Sequence, residues 1–211
     1  MLPKPDRVSR VVSHPAVALV DMSKWFERVK RAEGMGARAL LFVALTASRS
    51  GEVRGATWNE IDFNRKLWTI PADRMKAVRE HRVPLSDTAF KVLAATPRFH
   101  GSDLLFTAAR GGMLSDMTIS KAMKRVHELE LERGGQGYID SRSGRPAVPH
   151  GLRSSFRDWA AEHTDYPAEM AELALAHQVG NEVERAYRRT DMLERRRQMM
   201  EDWASFLSAS N

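Results

Sequence analysis

The sequence predicts a mainly α-helical domain of α+β class with one small three-stranded antiparallel β-sheet. Three observations predict it. Apolar residues recur at helical spacing in both halves of the 211-residue chain. Between them lie three short strand-like runs, residues 61–63, 66–71 and 82–85, separated by turns. No segment repeats, so the chain points to one sizeable core rather than an array.

Residues 1–18 hold three prolines and several charges without periodicity, and read as a linker. The boundary is set after residue 20, with 1–20 as linker and 21–211 as the domain. Residues 21–29 read as a helix capped by Asp21. Residues 36–48 form a strongly apolar helix, followed by a break at Ser50-Gly51 and a polar helix to about Trp58. The three strands come next. Asn64-Arg65 makes the first turn, and residues 72–81 a longer, basic one. Residues 87–95 are helical, as are 118–133, where Ile119, Met123, Val126 and Leu129 share one face. The loop 134–149 holds four glycines and two prolines, and its length suggests a function. Helices over 150–162, 167–177, 182–187 and 192–207 complete the chain.

A composition of 43% hydrophobic and 28% charged residues is that of a globular protein. The absence of cysteine excludes a disulfide scaffold, a thiolate nucleophile and Cys-ligated metal. The longest apolar run, 39–47, is broken by Thr46 and is too short to span a membrane. The first residues lack the apolar core of a signal peptide, so a soluble, cytoplasmic protein is expected. The net charge of +6 suits a polyanionic partner, although many basic proteins bind no nucleic acid.

Four places carry candidate chemistry. Arg49 closes the apolar helix and Glu52 follows three residues later; a guanidinium there needs a partner, and Glu52 supplies one. An ordinary helix-end arginine beside a capping glutamate fits as well. His150-Gly151-Leu152-Arg153 puts an imidazole and a guanidinium on one face of a helix start, where free N–H groups can also meet an anion. A capped helix with a solvated arginine is the plainer alternative. The spacing lacks the paired histidines of a zinc hydrolase. Leu175-Ala176-His177 ends a helix, where a structural histidine is common. Tyr187 is flanked by Arg185, Arg188 and Arg189, whose charge favours a phenolate; a surface tyrosine on a basic helix is the bland reading. Together they offer donors for a phosphate, acids for a leaving oxygen and a nucleophile.

With these residues in order, the chain resembles the catalytic domain of tyrosine recombinases, the phage-integrase family, over about residues 21–207. The stretch from Leu45 to Trp58 resembles the family's first arginine box, with Arg49 as the catalytic arginine and Glu52 as its support. Met75-Lys76 followed by Arg82-Val83-Pro84-Leu85-Ser86 resembles the hairpin that carries the family lysine, at Lys76. His150 to Arg153 resembles the His-x-x-Arg box, and Leu175-Ala176-His177-Gln178 the second histidine box. Tyr187 follows ten residues later, and the tail from Met192 to Trp203 resembles integrases of prophage and genomic-island type. Two departures are mild: Ala47-Ser48 stands where many members have Gly-Leu, and Ala176 where Gly is common. The family's N-terminal core-binding and arm-binding domains do not fit in the lead-in, which implies an isolated catalytic domain or a truncated gene.

The resemblance implies a site-specific recombinase that cuts and rejoins DNA through a 3′-phosphotyrosine, for integration or excision of a prophage or genomic island. Arg49 and Arg153 would clamp the scissile phosphate, Tyr187 attack phosphorus, and Lys76 protonate the leaving 5′ oxygen. His150 would exchange protons with the tyrosine, and His177 hydrogen-bond the phosphate. The resemblance implies no metal and no cofactor, since the arginines supply the charge. The implied partner is double-stranded DNA at attachment sites, with a tetramer of the chain on DNA and a monomer when free. Arg74, Arg79, Arg82, Lys121 and Lys124 are candidate DNA contacts, against the plainer reading of a basic solvated face. Arg54 competes with Arg49, but five residues apart they point differently on a helix. The alternatives are a type IB topoisomerase and a catalytically silent DNA-binding remnant.

Overall fold

The structure, a computed structural model, describes residues 14–180 and 190–209. It has the mainly helical architecture and three-stranded antiparallel sheet that the sequence predicts. The centre is α2 (Met35–Thr46), whose residues from Ala39 to Thr46 are all buried. A helix that is apolar on every side must be covered on every side. Accordingly α1 (Met22–Lys30), α3 (Ser50–Arg54), α4 (Asp87–Ala94), α5 (Asp116–Glu132), α6 (Gly151–Glu162) and α8 (Leu193–Ser208) all pack on it. The last of these is pinned by Trp203, fully buried, whose indole N–H donates to the Ala44 carbonyl at 2.8 Å. Helix α7 (Ala168–Ala174) packs on α6.

The sheet runs β1 (Ile61–Asp62), β2 (Leu67–Ile70), β3 (His81–Pro84), in that spatial order. Trp68 pairs with Val83 and Ile70 with His81 across β2 and β3. Trp68 and Ile70 are buried, and Trp68 meets Phe42 of α2 at 5.3 Å between rings. The alternation of strand side chains thus sets one sheet face against α2.

Several boundaries differ from expectation, each for a local reason. The break after α2 falls at Ala47–Arg49, not at Ser50-Gly51, because Ala47 takes left-handed backbone (φ 49°) and stops the helix. The next helix ends at Arg54, and Trp58–Glu60 is a separate 3-10 turn. Asp21 makes no capping bond: it closes the 3-10 turn Leu19–Asp21, which runs straight into α1. On α5 the buried face ends on Glu130, one turn beyond Val126, while Leu129 is only half-buried. The Glu130 carboxylate is neutralised there by Lys24 at 2.5 Å and Arg28 at 3.2 Å. Among the described residues no helix is long and apolar enough to cross a membrane.

Candidate active site

Arg49 stands at the start of α3, in extended backbone, just after the left-handed turn at Ala47. Glu52, buried, accepts the Arg49 backbone N–H through Oε2 at 2.8 Å and its Nη1 through Oε1 at 2.7 Å. One carboxylate therefore fixes both the turn and the guanidinium. Arg54 points elsewhere, donating to the Leu114 carbonyl at 3.0 Å and pairing with Asp116.

Arg153 lies one turn into α6 and is only 4% exposed. Its Nη1 donates to the Ala47 carbonyl at 2.7 Å; its Nη2 donates to the Leu175 carbonyl at 2.6 Å and to His177 Nε2 at 3.0 Å. The ends of α2 and α7 are thus joined through one side chain of α6. Burial, and then the neighbouring charge of Arg49, lower the Arg153 pKa to about 10, against the opposing pull of Glu52 and Glu172.

His150 precedes α6 and is exposed, with its ring 4.2 Å from that of His14. Its pKa is lowered to about 4, first by the partial enclosure of its ring, which leaves much of the side chain in solvent, and then by His14, Arg153, Arg49 and His177. The expected free N–H groups at this helix start are occupied. Gly151, Leu152 and Arg153 donate to the carbonyls of Val148, Pro149 and His150 in a tight opening turn.

Residues 14–17, read from the sequence as linker, are a strap across that turn. The Pro15 carbonyl accepts from Val148 N–H at 3.0 Å, Ala16 N–H donates to Asp140 at 3.3 Å, and Ser155 donates to the Val17 carbonyl at 2.7 Å. Gly151 is required beneath it, since a Cβ there would lie 1.9 Å from the Pro15 carbonyl oxygen.

His177 lies beyond the end of α7, which stops at Ala174 rather than continuing to the histidine. Ala176 takes left-handed backbone (φ 51°), and the N–H groups of Ala176 and His177 return to the carbonyls of Leu173 and Glu172. That is a Schellman-type ending with alanine in the glycine place. The His177 ring meets Glu172 through Nδ1 at 2.6 Å.

Sequence reasoning missed three participants. His81 opens β3 and donates through Nε2 to the Ala174 carbonyl at 3.2 Å. Its pKa falls to about 3, through burial first and then the charges of Arg196, Arg153 and Arg49, with the Ala174 bond opposing. Nothing in its sequence context marks it. Glu172 was missed although a carboxylate five residues before a helix-end histidine is a readable pairing. Asp191 accepts two bonds from Arg82, at 3.0 and 2.7 Å, and one from Arg196 at 3.0 Å. A cleft of about 510 Å³ is lined by Arg79, His81, His177, Asp191 and Arg196 among others.

The structure therefore brings Arg49, Glu52, Arg153 and His177 into one cluster, with His150 within reach of its charge. Lys76 is exposed on the turn between β2 and β3, beside the buried Met75. Tyr187 lies outside the described residues. Of the basic residues expected on DNA, Arg74 is turned inward, donating to Glu60 and to the Glu52 carbonyl, and Arg82 is held by Asp191. Arg79 lines the cleft, and Lys121 and Lys124 are exposed on α5. Among the described residues no group of three or more His, Cys, Asp or Glu is placed to hold a metal ion.

A family model described as the phage integrase family matches residues 18–194. Prophage integrase IntA of Escherichia coli (strain K12) is 38% identical over 181 residues, covering 84% of this chain and 40% of that protein. The chain spans about 40% of the length of the curated relatives it matches. The integrase from mycobacterium phage Brujita superposes with a TM-score of 0.64 at 19% identity, covering 100% of this chain and 63% of that one. A lambda integrase tetramer bound to a Holliday junction gives 0.58 at 19% identity, over 81% and 49%. At these identities the two structural likenesses show the fold.

Proposed function

The chain belongs to the phage integrase family, and on that premise we propose that it carries the strand-cutting and rejoining chemistry of a site-specific tyrosine recombinase. One observation supports this most. Arg153 reaches across to the Ala47 carbonyl, two residues before Arg49, while Glu52 fixes the Arg49 guanidinium, so both cations are held at the one turn that follows α2. Like charges gathered at one place call for an anion, and a DNA phosphodiester supplies it.

In this reading Arg49 and Arg153 hold the non-bridging oxygens and stabilise the charge that develops on them. The Tyr187 oxygen attacks phosphorus, giving up its proton to His150, whose low basicity in the free protein rises once phosphate charge is present. The bond to the 5′ oxygen breaks, and Lys76 delivers a proton to that oxygen. The new phosphotyrosine ester keeps the strand end activated until a 5′ hydroxyl displaces it. Duplex DNA is the partner in this reading, with several chains assembling on it; a lambda integrase tetramer on a Holliday junction is the structural neighbour that supports such an assembly.

A nicked duplex bearing the chain's own attachment sequence tests the reading. The wild-type chain is expected to form a denaturation-resistant DNA adduct, and Tyr187→Phe none. Arg49→Met is expected to abolish the adduct in a folded protein, whereas Arg54→Met leaves it. No wild-type adduct, or an equal one from Tyr187→Phe, defeats the proposal.

A further inference from the structure

Four side chains close a ring between α6 and α7. Arg153 and Arg157 lie four residues apart on one face of α6. Arg157 donates through Nε to Glu172 Oε1 at 2.5 Å; Glu172 Oε2 meets His177 Nδ1 at 2.6 Å; His177 Nε2 meets Arg153 Nη2 at 3.0 Å. Glu172 also holds His177 by its backbone, accepting its N–H at 2.9 Å.

Hydrogen-bond polarity around this ring leaves one arrangement. A guanidinium has donors and no acceptor, so at the Arg153 contact His177 Nε2 must present its lone pair. A doubly protonated ring would set donor against donor and like charge against like charge. The contact with Arg153 is a hydrogen bond only with the lone pair on Nε2 and the proton on Nδ1, and the acceptor that selects that tautomer is the Glu172 carboxylate. While it holds Arg153, Nε2 cannot donate to a phosphate, which is the task the family resemblance gives to His177.

We propose that Glu172 is a positioning residue for the reaction: it fixes the His177 proton on Nδ1, so that Nε2 holds the Arg153 guanidinium in place for the phosphate. The assignment rests on the reading of Arg153 as a phosphate ligand. Arg153 has five N–H donors. Three are directed to Ala47, Leu175 and His177, which fixes the guanidinium and leaves the Nε proton and one Nη1 proton for a further acceptor. Glu172 is also one of the two carboxylates that support the charged state of the buried Arg153. Arg157, 59% exposed, steadies the Glu172 carboxylate but adds little energy of its own.

The test reads the ring directly. In the 211-residue chain, long-range ¹H–¹⁵N correlation spectra at neutral pH are expected to show His177 protonated at Nδ1 and bare at Nε2. The signals are assigned by their loss in His177→Gln. Glu172→Ala is expected to lose that tautomer and to slow adduct formation on the nicked duplex by about 10–100-fold, the range known for metal-bound histidines that lose their outer partner. Glu172→Gln, which keeps an acceptor but not the charge, falls between. Arg157→Ala is expected to keep the tautomer and to change the rate by no more than about fivefold. A wild-type His177 protonated at Nε2, or a Glu172→Ala variant with unchanged tautomer and rate, overturns the assignment. So does a rate loss that follows melting temperature equally in Glu172→Ala and Arg157→Ala. Should wild type show the expected tautomer yet form no adduct, the proton placement holds and the strand-cutting reading falls.

Discussion

Ala47 and Ala176 both hold left-handed backbone, with φ of 49° and 51°, and both adjoin the guanidinium of Arg153. Ala47 offers Arg153 its own carbonyl, and Ala176 follows the residue that offers the other. An L-residue in this region is strained by roughly 1–2 kcal/mol, partly offset for glycine by its freer unfolded chain. Ala176→Gly is therefore expected to raise stability by about 0.5–1 kcal/mol. Ala47→Gly is expected to be near neutral, because Ala47 is fully buried and its lost methyl offsets the relief by about 0.8 kcal/mol. Urea denaturation midpoints compare the two, and an equal gain in both would refute the burial argument.

Asp191 accepts from Arg82 on β3 and from Arg196 on α8, and Arg196 is almost wholly buried. Asp191→Ala strands that buried charge and is expected to destabilise the fold by on the order of 3 kcal/mol. The Arg82 arm, 38% exposed, adds little. Adding Arg196→Met to Asp191→Ala is expected to recover part of the loss, since no unpaired charge then remains. Equilibrium denaturation of the two variants measures it, and no recovery would argue against a charge effect.

Stability should fall in acid earlier than carboxylates alone would cause. His81 is held at a pKa of about 3 and His150 at about 4, against 6.5 for an ordinary histidine. Folded pKa values below the unfolded one mean that the unfolded chain binds more protons between them, so stability rises with pH across that window. The contribution is complete above about 7 and is lost as pH falls from 6.5 toward 4 and 3. One such group gives a slope of at most about 1.4 kcal/mol per pH unit. His81 supplies most of it, since His150 is exposed and more fully screened. Below about 4.5 the lowered carboxylates Glu172 and Asp191 act in the same direction. His81→Gln, which still donates to Ala174, is expected to flatten the slope between pH 4 and 6.5; an unchanged slope would place its origin elsewhere.

The basic residues divide by where their charge is directed. Arg79, Lys121 and Lys124 are exposed, and each that meets a phosphate should lower the salt slope of duplex binding by about one when replaced by alanine. Arg74→Ala is expected instead to reduce stability, because its guanidinium is held by Glu60 and the Glu52 carbonyl. Binding titrations of a mixed-sequence duplex over a salt series, beside denaturation curves, separate the groups. A slope change for Arg74→Ala without loss of stability would contradict the division.

What the sequence revealed was local. The Arg49–Glu52 pair is readable because a carboxylate three residues on reaches back over a helix start, and the structure has that contact. The β2–β3 pairing follows from two short β-rich runs joined by a turn. The helix break could not be placed, because Ala47 carries no mark of left-handed backbone as glycine would. Arg74 and Arg82 looked like free cations because Glu60 and Asp191 meet them only after the sheet and helices assemble. Glu130 escaped notice because its partners, Lys24 and Arg28, sit on α1, far away in sequence. The strap at residues 14–17 was hidden for the same reason, since its holds are on residues 140–155. Tyr187, the nucleophile in the proposed reaction, remains a reading of its sequence context alone.

The seat of Arg153 also bears on the order in which the chain becomes competent. Its two carbonyl anchors lie 106 and 22 residues away along the chain. Contacts across such separations require large loops to close, and neither anchor exists until α2, α6 and the end of α7 have met. A chain still emerging from the ribosome, or one partly unfolded, has the arginine but not its setting. In the proposed reaction this ties the capacity to cut to completion of the fold: the phosphate-holding arginine gains its orientation only once those helices have docked.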